Sequence, residues 1–260
     1  MNCKNCQTPQ RTDFKYCPNC GAKVVQNRLS FKNITYDITE RYFNLDNTFI
    51  KTVVQLCIRP ETVIDAYIQG VRRKYLNPMS HLGIALTLSG LLIFIMQKVF
   101  TADIFEAYGS AKMSEELSAK IYEAIFDYNT IMFVLYIPVF AFAGYLTFNR
   151  KDYLPSEYVI TFIYIMAQWS IVIFPISLIT LLWDPKFYVS LSFPLLFVMI
   201  LYCVFVMQRI HRYPTGAMIL RSFVFFMLSA IGYFAIIIGF YIVLFITGTI
   251  ELQDFAPPPK

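Results

Sequence analysis

Apolar residues are distributed unevenly along this chain of 260 residues. Before residue 80 they recur at helical spacing among polar ones; after it they run almost unbroken. Five runs stand out, at 80–99, 131–149, 158–183, 187–208 and 220–247. Each is near or above the roughly 20 residues that a bilayer-crossing helix needs. Pro175 and Pro194 fall inside the third and fourth, where a missing N–H predicts a kink. No Asp, Glu, Lys, Arg or His lies near the middle of any run, so the pattern lacks the buried charges that mark ion paths and proton relays.

The polar first third predicts a different kind of helix. Phe49, Ile50, Val53, Val54, Cys57 and Ile58 share one face, with Asp46 or Asn47 as the cap. Arg59-Pro60 ends this helix and Pro60 opens a second one. That second helix carries Val63, Ile64, Tyr67 and Ile68 on one face and stops at Gly70. Between the first two runs, Leu117, Ile121, Ile125 and Tyr128 predict a further amphipathic helix leading into the second span. The predicted fold class is an all-α polytopic membrane protein, with about five transmembrane helices behind a small zinc ribbon and amphipathic juxtamembrane helices. Its expected parts are a ribbon head at 1–28, juxtamembrane helices at 29–79, a helical membrane domain at 80–250 and a disordered tail at 251–260, which ends in "FAPPPK".

Charge gives the body an orientation. Only 15% of residues are charged, against about 25% in soluble domains. Residues 1–79 hold twelve Lys/Arg and six Asp/Glu, while 101–130 hold two lysines and six acids. Arg150 and Lys151 sit after the second run, and Arg209, Arg212 and Arg221 sit around the gap between the fourth and fifth. The basic excess predicts a cytoplasmic N-terminus, an outer acidic loop and, after five spans, an outer C-terminus. The N-terminus shows no signal-peptide pattern, so the head is expected in the cytoplasm.

The head reads "CKNCQTPQRTDFKYCPNC", two C-x-x-C pairs built from Cys3, Cys6, Cys17 and Cys20. In a reducing compartment such pairs point to a metal rather than to disulfides. Four thiolates close a tetrahedron around zinc, or around iron in the same geometry, and leave no open position. The expected cofactor is therefore a structural zinc ion. So short a head gains its folding free energy from the metal. With five Lys/Arg against Asp13 over residues 1–28, it lacks the dense basic and aromatic surface of a nucleic-acid site. Cys57 and Cys203 fall in predicted helices and read as packing residues.

Arg72, Arg73 and Lys74 lie one turn before the first span, followed by Tyr75. They read as a topology anchor, or as a contact for anionic lipid or an acidic partner, with Tyr75 at headgroup level. His81 reads as an interfacial residue, Gln168 as an interhelical hydrogen-bonding residue, and Gly83, Gly90, Gly144, Gly232 and Gly239 as close-packing positions.

"CKNC…YCPNCG" followed by "FNLDNTFIKTVVQLCIRPETVIDAYIQGVRRKYLNP" resembles an uncharacterised bacterial membrane-protein family, domain of unknown function 3667. The matching positions are Pro60, Ile64, Tyr67, Gly70, Arg72, Tyr75 and Pro78. The resemblance implies an integral membrane protein with a cytoplasmic ribbon and implies no activity. The whole pattern fits a non-catalytic recruitment or scaffold protein of the bacterial inner membrane. Its expected partners are membrane lipids, a protein at the head and a second copy of the chain, with nucleic acid not expected. The alternative is a transporter or channel for a neutral or lipid-like substrate. No H-E-x-x-H, G-x-S-x-G or paired acid inside a span supports an enzyme.

Overall fold

The computed structural model describes residues 2–21 (without 4, 10, 12 and 15), 44–99 and 115–250. The expected head boundary at residue 28, the 101–114 part of the acidic loop and the tail at 251–260 lie outside them. The chain divides into two compact units, Met1–Asp46 and Asn47–Lys260.

In the first unit the backbone forms two similar knuckles. Gln7 N–H donates to Cys3 O, and Gly21 N–H donates to Cys17 O, both at 2.9 Å. Each knuckle closes on a left-handed residue, Gln7 at φ 60° and Gly21 at φ 70°. Glycine suits that conformation and glutamine does not. An antiparallel bridge joins Asn2 to Pro9.

The second unit is helical throughout its described residues. Two short helices, α1 (Asn44–Ile58) and α2 (Pro60–Ile68), precede five long ones. These are α3 (Pro78–Val99), α4 (Glu115–Phe148), α5 (Pro155–Trp183), α6 (Pro185–His211) and α7 (Thr215–Ile246). All five long helices contain a stretch apolar enough to cross a membrane, which fits a multi-pass integral membrane protein. Their outer surfaces agree with a lipid solvent: on α7, Ile219, Leu220, Phe223, Ile231, Phe234 and Ile238 are all exposed.

The breaks between helices follow local chemistry. Pro60 starts α2, and Thr62 Oγ1 donates to Arg59 O at 2.8 Å across the junction. Gly70, at φ 92°, ends α2, with Val71 N–H returning to Ala66 O at 2.8 Å. Asn77 Oδ1 accepts from Ser80 N–H at 2.8 Å and caps α3 ahead of Pro78. Asp184 does the same for α6, accepting from Lys186 N–H at 2.9 Å.

Three details differ from the sequence reading. α1 already begins at Asn44, so Asp46 and Asn47 lie inside it rather than capping it. The amphipathic segment before the second span is not a separate helix. It continues into the span as one 34-residue helix, α4, about 51 Å long, which also runs through Pro138. Leu117, Ile121 and Ala124 of its first turns pack with Leu244 and Ile250, whereas Ile125 and Tyr128 lie exposed. Of the glycines, a Cβ on Gly144 would come within 2.5 Å of the Phe162 ring, and one on Gly232 would strike Val139. Gly83, Gly90 and Gly239 have open space around them, so close packing explains only the first two.

Helices α3 and α5 run parallel. Ala85 packs with Ala167 and Ile171, and further along Met96 packs with Leu181. This register starts α3 about two turns deeper than α5. The space it leaves at that end is filled by α1, α2 and the 69–77 link, through Leu56, Val63, Ile64 and Tyr75 in the main core. The two short helices are therefore built into the bundle. The outward face of α1 remains apolar, with Ile50, Val54 and Ile58 exposed.

Candidate functional site

The four-cysteine cluster assembles as the spacing predicts. Cys3, Cys6, Cys17 and Cys20 place their sulfurs within 4.8 Å of one another. Cys3–Cys20 and Cys6–Cys17 are each 3.7 Å apart. Four sulfurs about 2.3 Å from a central zinc stand about 3.8 Å apart at the corners of a tetrahedron. The four side chains thus fit one tetrahedral ion, and the distances are far too long for disulfides.

Neighbours tune individual thiols. Thr8 Oγ1 lies 3.2 Å from Cys6 Sγ and is itself held by Asn19 Nδ2 at 2.9 Å. The Thr8 hydroxyl, then its backbone N–H, pull the Cys6 thiol down to about 6. Cys17 is pushed up to about 11: the Cys20 backbone N–H lowers it, but burial and the neighbouring thiols of Cys20 and Cys6 outweigh that pull. A cation in the centre would remove the conflict by stabilising every thiolate at once.

The basic residues before the first span occupy the exposed link between α2 and α3. Arg72 lies over the Tyr67 ring at 5.5 Å and Lys74 over Tyr75 at 5.4 Å. Lys51 of α1 approaches the same Tyr75 ring at 5.6 Å. Tyr75 is buried, and so belongs to the core rather than standing free beside the three cations.

The spans direct their polar side chains at α1, α2 and the link. Gln168 Nε2, midway along α5, donates to Val53 O at 2.9 Å and lies 3.1 Å from Cys57 Sγ. Its Oε1 meets His81 Nε2 at 3.2 Å. Gln168 is thus an interhelical bonding residue. His81, read as interfacial, is fully buried within the protein, between Phe49 and Tyr164. Tyr164 OH donates to Leu76 O at 2.7 Å, and Tyr202 OH donates to Leu56 O at 3.0 Å. These hydroxyls satisfy a carbonyl of the link and one in the last turn of α1, where Pro60 has no N–H to offer Leu56 O.

At the loop end of the bundle the contacts become ionic. Arg209 donates two bonds to Glu61, at 2.6 and 3.1 Å. Lys151 Nζ pairs with Asp65 at 2.6 Å, and Tyr153 OH donates to the same carboxylate at 2.9 Å. Burial and the Asp65 carboxylate hold the Tyr153 phenol above its ordinary range. Sequence reading had found Arg150, Lys151, Arg209 and Arg212 only as topology signals. Their convergence with Glu61 and Asp65 needed the register of four helices. Glu157 turns back to accept from Leu154 N–H at 2.8 Å at the start of α5.

Residues 46–90 match a family described as Protein of unknown function (DUF3667). The matched stretch comprises most of α1, all of α2, the link and the first half of α3. The positions Pro60 to Pro78 that carry the resemblance lie inside the match, and the cysteine head lies outside it. No curated protein and no solved structure matches the chain.

Proposed function

We propose that this integral membrane protein is a non-catalytic recruitment scaffold, whose zinc ribbon binds a protein partner in the cytoplasm of a bacterial cell. The observation that carries this reading is the closed thiolate cluster at Cys3, Cys6, Cys17 and Cys20. Four sulfurs fill the coordination shell of a zinc ion, so the metal acts by shaping a surface rather than by holding a substrate. The membrane body supports the same reading. Gln168, His81, Tyr164 and Tyr202 are engaged in fastening the 46–90 domain to the spans. In this reading the basic loops face the cytoplasm, the segment before α4 faces outward, and the C-terminus lies outside.

The test compares partners captured by cross-linking in native membranes. One sample is the intact chain; the other carries Cys17→Ser and Cys20→Ser and is expressed at the same level in the membrane. A defined set of proteins lost only from the variant supports recruitment by the ribbon. Identical sets from the two samples would sink it.

A second reading, transport of a neutral or lipid-like substrate, is favoured by a groove of about 320 Å³ between α4 and α7. Asn129 is its polar element, and Tyr136 stacks on Tyr233 at 5.2 Å along its wall. Flux into proteoliposomes that is lost in Asn129→Leu would favour transport.

A further inference from the structure

The ionic end of the bundle holds an open cavity of about 450 Å³, lined by Glu61, Asp65, Arg150, Lys151, Arg209, Ile210, His211 and Arg212. Two of its four cations are already matched, Arg209 by Glu61 and Lys151 by Asp65. Arg150 and Arg212 remain as surplus charge, with no ion pair among the described residues. Arg150 is held in place by other means: its Nη1 donates to Arg212 O at 2.7 Å, and its guanidinium lies over Tyr213 at 5.6 Å.

The turn that presents Arg212 is fixed as well. Gln208 spans it, donating to Tyr213 O at 2.8 Å and accepting from Tyr213 N–H at 3.2 Å. Arg212 itself is held left-handed, at φ 52° and ψ 57°. A non-glycine residue kept in that region is strained, and such strain gathers at binding sites.

An independent observation pointing to a ligand is His211. It is only 4% exposed, and its Nδ1 has no hydrogen-bond partner among the described residues. Its other nitrogen lies 3.0 Å from Tyr158 OH, with the two rings stacked. With Tyr158 donating to Nε2, the ring proton sits on Nδ1. In that tautomer Nδ1–H is a buried donor without an acceptor among the described residues, on a side chain that lines a cavity with surplus positive charge.

We propose that this cavity binds a phosphate group, with Arg150 and Arg212 as its charge partners and His211 Nδ1–H as a neutral donor. Guanidinium groups match phosphate oxygens in pairs. The acceptor oxygens of the phosphate would satisfy the orphaned imidazole N–H. The cavity lies between α2, the link after α4 and the end of α6, beside the loops of the bundle, at the level expected of lipid headgroups. It therefore suits a phospholipid phosphate or a soluble phosphate. Sequence reading had placed the lipid contact at Arg72, Arg73 and Lys74. The cavity is a separate site, and it does not depend on the recruitment reading.

The test uses the full-length protein in neutral detergent. The probes are inorganic phosphate and dioctanoyl phosphatidic acid, with dioctanoyl phosphatidylcholine as the zwitterionic control. The expected result is saturable binding of phosphatidic acid at least tenfold tighter than of the choline lipid. Arg212→Asn keeps a residue that tolerates the left-handed turn and should weaken binding about tenfold. His211→Phe keeps the ring volume and should weaken it severalfold. Arg59→Gln removes an exposed cation outside the cavity and should change affinity less than twofold. If inorganic phosphate competes at similar concentration, the source is soluble; if it does not, the site reads a lipid headgroup. Equal binding of both lipids with no binding of inorganic phosphate, or equal losses from Arg59→Gln and Arg212→Asn, would overturn the proposal. Should Arg212→Asn fail to fold, unchanged affinity in His211→Phe would do the same.

Discussion

Replacing Gln168 with leucine asks how strongly one buried amide holds the 46–90 domain in the membrane body. Gln168 is 1% exposed, and leucine restores most of its volume and none of its bonds. The bond to Val53 O is the smaller loss, because a carbonyl inside α1 keeps its own helical partner. An exchange of that kind costs about 0.5–1.5 kcal/mol. The larger loss falls on His81. Its Nδ1 already has no partner among the described residues, so losing the amide at Nε2 leaves the whole imidazole unpaired. A buried polar group left unsatisfied costs about 1–3 kcal/mol. Interhelical bonds in membranes run lower, about 0.6 kcal/mol on average and up to about 1.7. The expected destabilisation of Gln168→Leu is therefore about 1.5–3 kcal/mol. A double-mutant cycle with His81→Phe isolates the shared part. Unfolding by a denaturing detergent gives the four stabilities. The double variant should be more stable than the summed single losses predict, by about 1 kcal/mol or more. Additive losses, or a Gln168→Leu protein as stable as its parent, would refute the reasoning.

Four further outcomes are expected. The purified chain should carry about one zinc or iron ion, and elemental analysis should show it lost in Cys3→Ser. Because protons compete for the thiolates, including a Cys6 thiol pulled down to about 6, affinity should fall as pH falls, which a titration with a chromogenic chelator reads directly. At the first knuckle, Gln7→Gly relieves a left-handed residue at a cost of about 1–2 kcal/mol and adds back about 0.5–1 in chain entropy; metal affinity should stay level or rise, and a marked fall would contradict the strain argument. On α7, Gly232→Ala should destabilise by about 1–3 kcal/mol against Val139, whereas Gly239→Ala, in open space, should be neutral or better, as thermal unfolding in detergent can compare.

What the sequence determined by itself is local. Two C-x-x-C pairs specify a four-sulfur cluster because each knuckle is set by neighbouring residues, and the four sulfurs do meet. Long apolar runs specify membrane-crossing helices because no other segment buries its backbone in lipid, and all five runs form helices. Pro60, Gly70 and Pro78 specify the breaks of the 46–90 domain through their own backbone limits. The tertiary structure decided what these elements do to one another. Gln168 meets Val53 across 115 positions of sequence, and no periodicity encodes that meeting. It depends on α3 and α5 running parallel with α3 starting deeper, which opens the space that α1 and α2 fill. The same register buries His81, withdraws Tyr75 into the core and gathers Arg150, Arg209, His211 and Arg212 around one cavity. Helical spacing fixes the face on which a side chain lies. Only packing between helices fixes which side chain faces it.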